Sequence, residues 1–88
     1  MAKLSARGRK EVFRVVRERE RTDSDLINWE RMTYALMSDN SILEKRDVRF
    51  SSDNRKHSYG WKKAGKLREG STPEKLLASL QAKGYTKE

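Results

Sequence analysis

An α+β protein is expected from this chain. The anticipated form is a small antiparallel β-meander of three to four strands, packed by a single C-terminal α-helix and led by a flexible basic N-terminal arm. Three observations carry that expectation. Strand-like runs built on β-branched, aromatic or alternating residues recur at 11–19, 28–37, 42–50 and 56–63. A Ser-Asp-Asn turn signal occurs at Ser38–Asn40 and again at Ser52–Asn54, each time after such a run. Residues 71–83 combine helix-start, apolar-stripe and helix-stop signals in that order.

The arm comes first. Residues 1–10, MAKLSARGRK, hold almost no apolar side chain, and their basic residues suit contact with phosphates or a minor groove. A frayed terminus has the same composition. In residues 11–19, EVFRVVRER, the types of Val12, Phe13, Val15 and Val16 favour a strand, while Val12, Phe13 and Val16 also fit one helix face. The strand is preferred. In a strand, Arg14 and Arg17 point to opposite faces, and Arg17 and Arg19 share one. Arg21 to Asp25 then form a polar connection.

Residues 28–37, NWERMTYALM, and 42–50, ILEKRDVRF, form the next two strands. A two-residue loop at Asp39–Asn40 pairs Thr33 with Arg46 and Met32 with Asp47, scattering apolar residues over both faces. A three-residue loop at Asp39–Ser41 pairs Met32 with Val48 and gathers Met32, Tyr34, Leu36, Ile42, Val48 and Phe50 on one face. A half-buried sheet requires one coherent apolar face, so the longer loop is expected. The opposite face then carries Arg31, Thr33, Lys45, Asp47 and Arg49, with Trp29 among them. A further strand runs from about Lys56 to Lys63.

The helix is the clearest element. Ser71 and Thr72 supply capping groups, Pro73 an early proline and Glu74 an acidic first turn. Leu76, Leu77 and Leu80 make one apolar stripe, and Gly84 stops the helix. Those leucines need a partner surface, which the apolar sheet face provides. The resulting division is an arm at 1–10, one domain at 11–84 and a tail at 85–88.

Composition sets limits. With 88 residues, 34% hydrophobic and 39% charged, the chain buries a thin core and leans toward disorder at its ends. Two Trp, three Tyr and two Phe argue for a folded centre. No cysteine is present, which removes disulfides and thiolate metal sites and suits a reducing cytosol. The first residues lack the apolar core of a signal peptide, and no apolar run has membrane-spanning length. A cytoplasmic, non-membrane protein is expected, as a monomer or small homo-oligomer.

The net charge of +8 is unevenly placed. Residues 1–21 hold eight basic and three acidic side chains, residues 22–54 four and seven, and residues 55–88 nine and three. A fold that brings the two ends together has one face that attracts polyanions. A generic solubilising charge gives the same total.

Arg55 to Arg68, RKHSYGWKKAGKLR, is the most informative stretch. It carries Arg55, Lys56, Lys62, Lys63, Lys66 and Arg68 without an acidic residue, and His57, Tyr59 and Trp61 alternate through it. Basic residues interleaved with aromatics match a phosphate backbone and its bases. The expected phosphate contacts are these cations with Arg7, Arg9, Lys10, Arg14, Arg17, Arg31, Lys45 and Arg49. Trp29, Tyr59 and Trp61 are the candidate stacking platforms. Trp29 can equally pack against the first strand. Tyr59 and Trp61, two apart, are expected on one face of their strand. Under the helix they are core, the commoner fate of aromatics in so small a domain; on the other face they are platforms. Gly60 between them marks a bulge or relieves crowding.

The leading function is nucleic-acid binding, with DNA favoured over RNA, because a sheet face can enter the major groove. The layout is similar to that of integrase arm-site and plant sheet-reading DNA-binding domains, without a shared motif. The competing function is a protein-binding module whose basic and aromatic surface docks on an acidic partner. The acidic middle segment suits that alternative better. An enzyme is not expected: His57 is the lone histidine, no metal-ligand spacing or glycine-rich phosphate loop occurs, and nothing marks an activated nucleophile. No cofactor is expected either.

Overall fold

The structure is a computed structural model that describes residues 10–20, 26–52 and 55–88. These residues form β1 (Glu11–Glu20), β2 (Ile27–Met37), β3 (Ser41–Phe50), β4 (Lys56–Lys66), α1 (Pro73–Ala82) and β5 (Thr86–Lys87). The strands make one antiparallel five-stranded sheet in the order β4-β3-β2-β1-β5. The α+β class and the C-terminal helix agree with expectation; the sheet has five strands where three to four were expected. The basic arm, with Arg7 and Arg9, lies outside the described residues.

β1 is a strand throughout, as its β-branched and aromatic content favours. An extra residue between Glu11 and Phe13 leaves Val12 exposed, while Phe13 and Val15 turn inward and are buried. Lys10 is not part of a free arm. Its N–H donates to Ser38 Oγ at 2.9 Å, and its carbonyl accepts the Ser38 N–H at 2.7 Å.

The β2–β3 loop has three residues, Ser38–Asn40, and sits one position earlier than expected. Asn40 adopts φ 71°, a left-handed conformation that asparagine tolerates, and its N–H donates to the Met37 carbonyl at 2.9 Å. Asp39 Oδ1 accepts the Ser41 N–H at 3.0 Å. Moving the loop by one residue moves each cross-strand partner by two. Met32 therefore pairs with Arg46 and not with Val48. An even shift returns every side chain to its own face, so the apolar face from Met32 to Phe50 is preserved.

The helix is built as its sequence suggests. Thr72 is the N-cap, with Oγ1 accepting the Lys75 N–H at 3.2 Å, and Pro73 opens the first turn. At the other end Gly84 takes φ 97°. The Gly84 N–H donates to Gln81 and the Tyr85 N–H to Leu80, at 3.0 and 3.1 Å. This is the Schellman closure, and the two residues it joins, Leu80 and Tyr85, are both buried in the core.

That closure decides the C-terminus. Residues 85–88, expected as a tail, turn back along β1: Thr86 pairs with Val16 and Lys87 with Val15. β4 and β5 thus occupy opposite margins of the sheet, and α1 crosses between them. A ten-residue helix is about 15 Å long and four strand spacings are about 19 Å, so the adjoining residues complete the crossing. Beneath the helix, Leu76, Leu77 and Leu80 meet Phe13, Val15, Met32, Tyr34, Leu36, Ile42 and Tyr85. Val15, Leu36 and Val48 are fully buried, each such side chain contributing about 1.5–3 kcal/mol. No helix among the described residues is long and apolar enough to cross a membrane.

Candidate nucleic-acid interface

Strand alternation and the observed registers assign each side chain to the helix-covered face or to the open one. Arg14, Glu18, Trp29, Arg31, Thr33, Lys45, Asp47, Arg49, Lys56, Trp61 and Lys63 fall on the open face. The expected polar face of β2 and β3 is thereby observed. Its β2–β3 loop end is apolar, however: Ala35, Met37 and Leu43 are buried there in a second cluster, closed by Trp61.

β4 departs from regular alternation at two places. Lys45 pairs with Trp61 but Asp47 with Ser58, so β4 spends three residues where β3 spends two. The extra residue lies at Tyr59–Gly60, and Gly60 takes φ 75°, a conformation glycine adopts at no steric cost. A second extra residue, Ala64, lies between Lys63 and Gly65. The first bulge overturns the expectation that Tyr59 and Trp61 share a face. Trp61 lies on the open face. Tyr59 lies on the opposite one, where Arg46 approaches its ring at 6.0 Å and a hollow of about 220 Å³ is lined by Glu44, Arg46, Tyr59, Gly60 and Lys62.

Trp61 lies along the sheet. Its strand and that of Arg14 are separated by β3 and β2, a Cα distance of about 14 Å. The Arg14 guanidinium is nevertheless 5.2 Å from the ring centroid, so both side chains reach inward across the face. Lys45 Nζ stands 5.9 Å from the same ring. Trp29 is half-buried; Lys56 Nζ is 4.7 Å from its ring, and its Nε1 donates to Glu18 Oε1 at 3.3 Å. Through that bond Trp29 reaches β1, while neither core cluster includes it. Such cation–ring contacts contribute about 0.5–1 kcal/mol at exposed sites.

Ion pairing sorts the expected phosphate contacts. Arg14 is held by Glu11 at 2.7 Å and Glu88 at 3.9 Å, and Arg31 by Glu88 at 2.9 Å and Glu18 at 3.6 Å. Arg14, Arg19 and Arg31 of the β1–β2 half are thus matched by carboxylates, Arg19 by Glu30 at 3.6 Å. Among the described residues Arg49 donates to the neutral Asn28 Oδ1, at 2.8 Å, and has no ion pair. Lys45, Lys56, Lys62, Lys63, Lys66 and Arg68 carry no ion pair among the described residues. Arg55 is exposed at the start of β4, and its carbonyl accepts the Phe50 N–H. Unmatched positive charge therefore gathers on β3, β4 and the turn after β4, while three further cations without an ion pair among the described residues, Lys75, Lys83 and Lys87, lie on or beyond α1.

Arg17 serves the fold. It points to the helix side, donates to the Lys83 carbonyl at 2.9 Å and lies 4.8 Å from the Tyr85 ring centroid. A cation at the carbonyl end of a helix also complements the helix dipole. Beside it, a groove of about 510 Å³ between α1 and the sheet is lined by Tyr34, Ile42, Glu44 and Ala64 among others. Burial there, with Tyr85 and Glu44 adding to it, raises the Tyr34 hydroxyl above its ordinary value of 10.0. His57 packs edge-on against Phe50, ring centroids 4.9 Å apart.

No protein-family model, curated protein or solved structure matches the chain. Among the described residues no group of three or more His, Cys, Asp or Glu is placed to hold a metal ion. What the surface offers chemically is a cationic ridge with aromatic rings beside it.

Proposed function

We propose that the protein binds nucleic acid through β3 and β4. Lys45, Arg49, Lys56, Lys62, Lys63, Lys66 and Arg68 contact phosphates, and Trp61 meets bases on the open face. The observation that carries this reading is the asymmetry of pairing across the open face: carboxylates match Arg14 and Arg31, and no carboxylate among the described residues pairs with the lysines of β4. DNA stands ahead of RNA only by analogy with sheet-reading proteins. The N-terminal arm, with Arg7 and Arg9, would add phosphate contacts.

The test is fluorescence anisotropy of labelled DNA and RNA at several salt concentrations. Phosphate neutralisation predicts that affinity falls by about 0.9 log units per log unit of salt for each contact. Weak binding without a steep salt slope refutes the reading.

One observation favours a second reading. Among the described residues β4 pairs with β3 alone, so no described strand takes up its outer backbone groups, and an added strand could do so. An acidic, extended segment of a partner protein would satisfy both that edge and its lysines. Binding of acidic polypeptide without binding of nucleic acid would select this alternative.

A further inference from the structure

Resting on the nucleic-acid reading above, we infer that the ligand is single-stranded and folds over the β4 edge, stacking one base on Trp61 and another on Tyr59. The bulge at Gly60 is the basis. It places two aromatic rings, two residues apart in sequence, on opposite faces of one edge strand. Each ring has a cation beside it: Lys45 at 5.9 Å from Trp61 and Arg46 at 6.0 Å from Tyr59. Arg46 is itself fixed by Glu30, whose Oε2 accepts from its Nε at 2.8 Å.

Tyr59 has no part in the core. It is 60% exposed, and no core cluster includes it. Exposure of so large a ring beside two cations, Arg46 and Lys62, is what a stacking platform requires. The strand that carries both rings is cationic, with Lys62 and Lys63 exposed just after Trp61 and no acid from Arg55 to Arg68. A Cβ on Gly60 would have nothing within 4 Å, so the backbone there is open to close approach by a ligand.

Geometry then selects the strand form. A duplex stays stiff over about 150 base pairs and cannot bend around the edge of one β-strand to reach both sides. Its internal bases also have their faces covered by neighbours. A single strand has neither restriction, and stacking on aromatic rings tolerates any base.

The experiment is titration of the whole protein into labelled oligothymidylate and into a blunt duplex of equal charge, at several matched salt concentrations, with Tyr59→Leu and Trp61→Leu alongside. The single strand should bind at least about tenfold tighter than the duplex and alone quench tryptophan fluorescence. Tyr59→Leu should weaken single-strand binding by roughly 5- to 150-fold and change duplex binding less than about twofold. Because Trp61 also closes the Ala35–Leu43 cluster, its variant can lose the fold; Tyr59, being exposed, carries the test by itself. Unchanged single-strand affinity in Tyr59→Leu overturns the inference, as does equal affinity for duplex. A steep salt slope on duplex would in that case leave the nucleic-acid reading standing. Absence of binding to every nucleic acid overturns both.

Discussion

Replacing Lys62, Lys63 and Lys66 together by alanine should flatten the salt dependence of nucleic-acid binding without unfolding the protein. All three are exposed on the edge strand and make no ion pair among the described residues, so each is a full charge available to a phosphate. With Lys45, Arg49, Lys56 and Arg68 they give a limiting slope on a log–log plot of about −5 on a single strand and about −6 on duplex DNA. The duplex value corresponds to an affinity loss of several thousand-fold, roughly, between 50 and 200 mM salt. Removing three contacts should lower the duplex slope to about −3.6 and the loss to about 150-fold. Stability should change by no more than about 0.5 kcal/mol, since none of the three is buried or capped. The assay is anisotropy over a salt series, with urea unfolding as the stability check and Lys75→Ala on α1 as the control. An unchanged slope in the triple variant would refute the assigned surface. So would an equal flattening per charge in the Lys75 variant, because attraction would then be diffuse.

Tyr85→Ala should cost about 3–5 kcal/mol in urea unfolding, because the ring is buried and packs 5.4 Å from Tyr34; a cost below about 1 kcal/mol would return residues 85–88 to a tail. Gly60→Ala should cost about 1 kcal/mol from the left-handed backbone alone, and Gly84→Ala about 2 kcal/mol, since its new Cβ meets Arg17 Cδ at 3.3 Å. Equal costs by thermal unfolding would contradict that difference. Arg17→Met should lower stability by about 1–2 kcal/mol and leave the binding salt slope unchanged, because its charge is spent on the helix end. Tyr34 holds its proton more tightly when folded than when unfolded. Its contribution is therefore complete below about pH 10 and is lost as pH rises through the raised folded-state value, so Tyr34→Phe should flatten the alkaline limb of a stability profile.

Much of the fold was legible because it rests on periodicity and capping. The apolar face from Met32 to Phe50 followed from alternation, and an error of one residue in the loop did no harm because it shifted partners by an even number. The helix followed from Thr72, Pro73 and Gly84, whose roles are local. β5 was hidden: two residues have no period, and only the Schellman closure that turns Tyr85 back onto Leu80 announces the return. A signal for that closure existed in Gly84 followed by an aromatic residue. The second apolar cluster also had a signal, since Tyr34 to Met37 is a continuous apolar run and continuous runs mark burial on both faces. The site was harder. Net charge per segment located the cationic strand, yet charge alone does not separate Arg17, consumed by the helix end, from Lys63, left exposed. The faces of Tyr59 and Trp61 hinged on whether Gly60 was bulged, a property of pairing with β3 and not of local sequence.

The lysines of β4 also have a bearing on how copies of the protein behave toward one another. An edge strand with its backbone groups open is a template for sticking to a second edge, and like charges together with bulges are what keep two such edges apart. Anything that neutralises those charges removes the barrier, whether a bound polyanion or concentrated salt. Colloidal stability and ligand occupancy are therefore opposed in this molecule. Light scattering during a titration with a long polyanion should rise toward charge balance and fall again in excess, when each edge is covered by its own ligand.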